Sequence, residues 1–236
     1  MKGELTLLPN LLGKELDTTL WLAPIVHQAV ATLDGLIAES HPGGRRYLYK
    51  FKTKRPPNDI PIALLPKKVT PADLDFLLEP LLKGEHWGLV SDAGLPSLAD
   101  PGAELILRAK SKRITIRALP GPSSITAALL LSGLNANRFS FHGYLARERD
   151  AHLRNLEERS RADKATQLFI EAPYRNEETL KVALTTLSKT TLLCIATNLT
   201  LPNEQVTTQT IRQWQQQPFP ALNDQPSVFL LQTPGG

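Results

Sequence analysis

The chain has 236 residues, 42% hydrophobic and 21% charged, with 27 Lys and Arg against 23 Asp and Glu. That much apolar material offsets chain entropy and excludes an intrinsically disordered protein. The most apolar stretch, Ile125 to Leu134, is interrupted by Thr126, Ser132 and Gly133 and falls far short of the roughly 20 residues that span a bilayer.

Short apolar runs alternate with helical patterns, which predicts an α/β fold. The first residues do not read as a secretion signal, because only Lys2 is basic before Glu4 and Pro9-Asn10 interrupt the apolar run; a cytoplasmic protein is expected. The first strand is predicted over Leu5–Leu8. A helix is expected over much of Thr18–Leu33, with Pro24 near its start or breaking it. Strands follow at Gly35–Ala38 and Ile62–Leu65.

Between Glu39 and Asp59 there is no acid, and Arg45, Arg46, Lys50, Lys52, Lys54 and Arg55 stand among Tyr47, Tyr49 and Phe51. The aromatic alternation reads as a strand. Bases beside aromatics suit phosphates and unstacked nucleobases, and they suit equally a solvated face with aromatics packed beneath it. The net charge of +4 leans weakly towards an anionic partner.

Thr70-Pro71-Ala72-Asp73 is an N-cap, a proline and an acidic first turn, opening a helix to about Lys83. Trp87–Val90 is a strand ending in the loop Ser91–Pro96. Asp100-Pro101-Gly102 is expected to open a helix to about Lys110 by the same capping logic, and Ile114–Leu119 is the fifth strand. These strands predict a first αβ domain, residues 1–119, with a mostly parallel sheet. Pro120-Gly121-Pro122 marks the boundary.

In the second domain, residues 120–236, Ser123 or Ser124 caps a helix ending at Gly133. Strands are expected near 138–145, 167–171, 192–196, 204–210 and 227–232, with helices around 150–162 and 176–188. Strands dominate its end, so a mixed sheet is predicted. The stretch from Arg147 to Lys164 mixes both signs and reads as an exposed helix.

The single cysteine, Cys194, removes any disulfide framework or cysteine-based zinc site, and in the run Leu192–Ala196 it reads as a buried hydrophobe. The histidines at 27, 41, 86, 142 and 152 lack metal-binding spacing, and no metal site is expected. No two glycines are separated by one residue, so the dinucleotide fingerprint and the usual glycine-rich methyltransferase loop are missing. ATP- and NAD-dependent chemistry is disfavoured.

What the sequence offers is a set of small-residue loops after predicted strands, where open α/β sheets bind ligands. They are Ser91–Gly94, Pro120–Ser124, Glu171–Arg175 and Asn198–Thr200. Such loops present backbone N–H and C=O groups, which suits an adenine, a ribose or an amino-acid moiety. Taken singly, Asp92 could be an Asx turn and Ser124 a helix cap.

The order and wording of these loops resemble the tetrapyrrole methylases, the class III methyltransferases. The resemblance is carried by Val90-Ser91-Asp92-Ala93-Gly94-Leu95-Pro96, Asp100-Pro101-Gly102 and Leu119-Pro120-Gly121-Pro122-Ser123-Ser124. Within that family, Phe139–Leu145, Phe169-Ile170-Glu171-Ala172-Pro173-Tyr174-Arg175 and Ala196-Thr197-Asn198-Leu199-Thr200 resemble the ribosomal RNA small-subunit methyltransferase I branch. The first third departs from the pattern. The A-T-P-I-G-N-L loop is here Leu8-Pro9-Asn10-Leu11-Leu12, and the E-D-T-R segment is Glu39-Ser40-His41-Pro42.

The resemblance implies S-adenosyl-L-methionine in a cleft between two αβ domains, and a homodimer. The implied cofactor residues are Pro9, Ser91, Asp92, Ala93, Gly94, Leu95, Ser123, Ser124, Ile125, Ile170, Glu171, Ala172, Asn198 and Leu199. Glu171 is the candidate base for a hydroxyl acceptor; a carboxylate there could equally bind the methionine amino group or pair with Arg175. Candidate RNA contacts are Arg45, Arg46, Lys52 and Arg175. The expected activity is 2′-O-methylation of a cytidine in small-subunit ribosomal RNA. Methylation of a tetrapyrrole-type small molecule, or a silent cofactor-binding module, are the alternatives.

Overall fold

The computed structural model describes residues 2–13 and 16–234. They fall into two compact units, Met1–Ser123 and Ser124–Gly236. The break follows Ser123 rather than Leu119 because the proline turn packs onto the first unit. A Cβ on Gly121 would lie 2.1 Å from Pro9 Cβ.

Unit 1 runs β1 (Glu4–Leu8), α1 (Thr18–Trp21), α2 (Pro24–Ala31), β2 (Gly35–Ala38), α3 (His41–Leu48), β3 (Ile62–Leu64), α4 (Pro71–Leu82), β4 (His86–Val90), α5 (Ala103–Ser111) and β5 (Thr115–Ala118). Its five strands form one parallel sheet in the order β3-β2-β4-β1-β5. Helices cover both faces, so β2 is buried throughout and reads as a continuous apolar run. Leu36 and Ile37, adjacent in β2, point to opposite faces. Leu36 joins Val26, Val30, Tyr47 and Leu48 of α2 and α3, and Ile37 joins Leu74, Leu78, Leu105 and Ala109 of α4 and α5.

Three local expectations change here. The helix expected over Thr18–Leu33 is two helices, with Pro24 in the first turn of α2, where a missing N–H is harmless. The segment read as a strand from Tyr47, Tyr49 and Phe51 is α3 and its exit. Ser40 Oγ accepts the Gly43 N–H at 3.0 Å and Pro42 occupies the first turn, so the helix is nucleated ahead of the aromatics. Tyr47 and Phe51, whose ring centroids are 4.9 Å apart, satisfy a period of two and an i, i+4 spacing equally well. The helix expected to open at Asp100 starts at Ala103 behind Gly102, whose φ of 145° is outside the range other residues favour.

Unit 2 runs α6 (Ser124–Ser132), β6 (Phe139–Tyr144), α7 (Arg149–Asp163), β7 (Thr166–Ile170), α8 (Asn176–Thr186), β8 (Leu192–Thr197), β9 (Gln205–Thr210), α9 (Ile211–Trp214) and β10 (Ser227–Gln232). The sheet is mixed, in the order β6-β7-β10-β8-β9, with β6 and β7 parallel and the other pairs antiparallel. Leu153 and Leu156 of α7 and Leu180 and Ala183 of α8 pack on Phe169, Ile195 and Phe229 of the central strands. Phe169 and Phe229 stack at 5.2 Å. Cys194 is buried in β8, and burial pushes its thiol up to about 11, leaving it inert.

Helix α7 is exposed along one side only. Arg149 and Glu157 are buried, and Glu157 accepts from the Ser188 N–H, the Ser188 hydroxyl and the Thr191 hydroxyl. Among the described residues, no helix is long and apolar enough to cross a membrane.

Candidate functional site

The sheet of unit 1 has a point where the chain changes direction. From β1 the chain crosses by α1 and α2 to β2; from β4 it crosses by α5 to β5, the opposite way, although β1 and β4 are neighbours. Right-handed crossovers in opposite directions put their helices on opposite faces, which opens a crevice beyond the carboxyl ends of the two strands. Pro9-Asn10 leaves β1 there, and Ser91–Gly94 leaves β4.

Asn10 ties these two loops together. Its Nδ2 donates to Ser91 O at 3.0 Å and Asp92 O at 2.9 Å, and its backbone N–H donates to Gly94 O at 2.8 Å. Asn10 is buried, and it is a residue that sequence reasoning missed while choosing its neighbour Pro9. The signal was an amide side chain directly after the first strand. Pro9 is held in turn, since the buried Tyr47 hydroxyl donates to its carbonyl oxygen at 3.1 Å and burial pushes that phenol well above its ordinary range. Gly94 has φ 69°, a conformation that strains any residue with a Cβ. Ser91 and Gly94 are buried, whereas Asp92 and Ala93 are exposed.

The acidic residues around this loop are organised too. Glu39 Oε1 accepts the Asp92 N–H at 3.2 Å. A Cβ on Gly43, at the start of α3, would come within 2.6 Å of Asp92 Oδ1 and 2.8 Å of Ser40 Oγ. The departure Glu39-Ser40-His41-Pro42 therefore still shapes the loop: the acid bonds it and the glycine gives it room. Asp100 is half-buried, and its carboxyl is pushed up to about 6 by burial and then by Glu39 and Asp92, against a lowering hydrogen bond from Ser91.

In unit 2 the corresponding loops follow β7 and β8. Glu171 is buried with a hydrogen bond from the Ala172 N–H to Oε1 at 2.9 Å, Arg175 Nη1 3.7 Å from the same oxygen, and Arg149 Nε 3.4 Å from Oε2. Asn198 has φ 50°, and its Nδ2 donates to Gln225 Oε1 at 2.8 Å while its N–H donates to Pro226 O at 3.0 Å. Asparagine tolerates the left-handed region better than most residues, so this turn is held at modest strain. Leu199 is buried beside it. Ser123 closes unit 1, Ser124 opens α6, and Ile125 is buried on that helix.

The residues chosen as RNA contacts separate into different roles. Arg45 turns inward and donates to the carbonyl oxygens of Pro57 and Ile60. Arg55 likewise donates to Leu33 O and Asp34 O. Arg46, Lys52 and Lys54 are exposed beside the exposed Tyr49. Arg175 stands over Glu171. Among the described residues, no group of three or more His, Cys, Asp or Glu could hold a metal ion.

Comparison with known proteins agrees with this architecture. Two solved structures share the fold at 16% identity: the methyltransferase CobJ, with TM-score 0.64 over 99% of this chain and 95% of that one, and uroporphyrin-III-C-methyltransferase from Thermus thermophilus, with TM-score 0.56 over 98% and 94%. Among curated relatives, a ribosomal RNA small subunit methyltransferase I of Xylella fastidiosa is 30% identical over 216 residues, covering 89% of this chain and 75% of that protein. The same-named protein of Halalkalibacterium halodurans is 39% identical over 104 residues, 44% of this chain and only 36% of the relative. Measured against that relative, the matched part is about a third of its length. The sequence pattern of the tetrapyrrole (corrin/porphyrin) methylases matches residues 46–215. With that match over more than half of its length, the chain belongs to the tetrapyrrole methylase family.

Proposed function

We propose that the chain is an S-adenosyl-L-methionine-dependent methyltransferase that modifies small-subunit ribosomal RNA, placing a methyl group on the ribose 2′-oxygen of a cytidine. The family's methyl donor is S-adenosyl-L-methionine, and the relatives named above carry the ribosomal RNA reading. The observation that carries the cofactor assignment is the Asn10 latch at the reversal between β1 and β4. The latch occupies three loop carbonyls and leaves Asp92 and Ala93 exposed. A loop of this kind, with Gly94 free of any side chain, suits a zwitterionic amino-acid moiety and a ribose.

In this reading Pro9 and Ser91–Leu95 meet the methionine and ribose part. Ser123, Ser124 and Ile125 stand beside it. Ile170, Glu171, Ala172, Asn198 and Leu199 take the adenine. The bound donor supplies a sulfonium-activated methyl carbon open to in-line attack. The chain's own contribution is alignment, which can supply roughly 7–11 kcal/mol of such a barrier. With donors on both oxygens, Glu171 is better suited to anchoring its turn than to accepting the hydroxyl proton, the base role that its position at a strand end suggests. Arg46, Lys52 and Arg175 are the proposed RNA contacts; Arg45 instead supports the fold of unit 1 through the Pro57 and Ile60 carbonyl oxygens.

The test is methyl transfer from labelled S-adenosyl-L-methionine to small ribosomal subunits lacking the modification, with mass mapping of the product. A methyl on one defined cytidine ribose is expected. Cofactor binding with no incorporation would overturn the RNA reading in favour of a small-molecule acceptor or a silent module. We also propose that two copies associate; a monomer mass by sedimentation at micromolar concentration removes that expectation.

A further inference from the structure

Arg149 is the first residue of α7 and is 8% exposed, and local physical rules run against it there. A cation in the first turn of a helix opposes the macrodipole. A guanidinium withdrawn from water is costly unless its donors are all met, and Nη2 of Arg149 is buried with no partner among the described residues. Its other nitrogens reach two carboxylates. Nε lies 3.4 Å from Glu171 Oε2 at the end of β7, and Nη1 lies 3.0 Å from Glu178 Oε1 in the first turn of α8. The Glu171 side chain is 1% exposed, whereas that of Glu178 is 63% exposed. One planar fork thus bridges the strand end and the next helix, with the turn at Ala172 between them.

A residue costly by burial, by helix position and by an unmet donor is better explained by placement than by stability. We propose that Arg149 is a positioning residue: it fixes the Glu171 carboxylate, and through the Ala172 N–H it fixes the backbone of Ile170–Ala172. The inference deepens the cofactor reading above, and on that reading the turn is where the adenine of S-adenosyl-L-methionine is recognised. Lysine cannot replace it, because an ammonium is a single point and cannot span both carboxylates.

The experiment uses the full chain and the variants Arg149→Met, Arg149→Lys and Glu178→Gln. Three quantities are read: the Ala172 amide exchange rate, calorimetric affinity for S-adenosyl-L-methionine, and the melting temperature. In Arg149→Met the Ala172 amide is expected to exchange about tenfold faster while amides of Thr166–Phe169 hold, and affinity is expected to fall about tenfold. Arg149→Lys should recover only part of both. Glu178→Gln should weaken binding about two- to threefold with an unchanged melting temperature, a result that a purely structural role would not give. Ala172 exchange that matches the wild type in Arg149→Lys and Glu178→Gln overturns the proposal, as does unchanged affinity in all three variants. If the wild-type chain itself fails to bind S-adenosyl-L-methionine, the cofactor reading falls, and the Ala172 exchange still decides whether Arg149 sets the turn.

Discussion

At the scale of single residues, Asn10 and Asp100 carry the sharpest expectations. Replacing Asn10 with alanine removes both side-chain hydrogen bonds to the loop and leaves the buried Ser91 and half-buried Asp92 carbonyl oxygens without that donor. A loss of about 1–3 kcal/mol in urea unfolding is expected, together with weaker S-adenosyl-L-methionine binding. Wild-type affinity in a folded Asn10→Ala variant would sink the latch. Asp100 makes a pH prediction. Its folded-state carboxyl titrates near 6 against 3.8 in the unfolded chain, so the folded state binds the proton more tightly. Its contribution is full below the unfolded value and lost as pH rises through about 6. Because the group is half-exposed, solvent screening reduces this to about 1 kcal/mol. Asp100→Asn should flatten the stability curve between about pH 4 and 6; an unaltered slope there contradicts the assignment. Neither role could be read from residue type. Asp100 stood as a helix cap in the sequence, yet the left-handed Gly102 starts the helix and leaves the acid to face Glu39 and Asp92.

At the scale of elements, capping chemistry decided more than hydrophobic period. Thr70 caps α4 as expected, and Asp73 of the acidic first turn completes a reciprocal box, with the Thr70 hydroxyl accepting the Asp73 N–H and the Asp73 carboxylate accepting the Thr70 N–H. Thr70→Ala should therefore cost about 1 kcal/mol in thermal or urea unfolding, with cofactor affinity unchanged because no residue of α4 is among the proposed cofactor contacts. Helix α3 shows the converse. Its cap, Ser40 with Pro42 in the first turn, was present in the sequence, but three aromatics at alternate positions gave the louder signal. Over five residues a period of two and an i, i+4 pair cannot be told apart, and burial of Tyr47 and Phe51 against the sheet settles it. In α7 the mixed charges suggested a solvated helix, and tertiary partners drew Arg149 and Glu157 inside.

At the scale of the whole molecule, the RNA reading rests on exposed charge rather than on the count of bases. Arg45 and Arg55 are spent on carbonyl oxygens, so their removal should cost stability more than affinity. Arg46→Ala with Lys52→Ala should instead leave folding intact and weaken binding to a ribosomal RNA fragment. The salt dependence should also flatten, by a slope of about 0.7 per lost contact if the RNA is single-stranded. An unchanged slope would take these residues out of the interface. The sequence by itself determined the α/β class, the parallel and mixed sheets and the family, because strand runs, proline-glycine breaks and loop wording are local and survive being read one residue at a time. Tertiary structure alone decided the latch at Asn10, the inward turn of Arg45 and the burial of Arg149 between two glutamates. Each depends on partners at least 12 residues away, and a side chain that can serve solvent, backbone or carboxylate equally well takes its role from whichever the fold brings within hydrogen-bond reach.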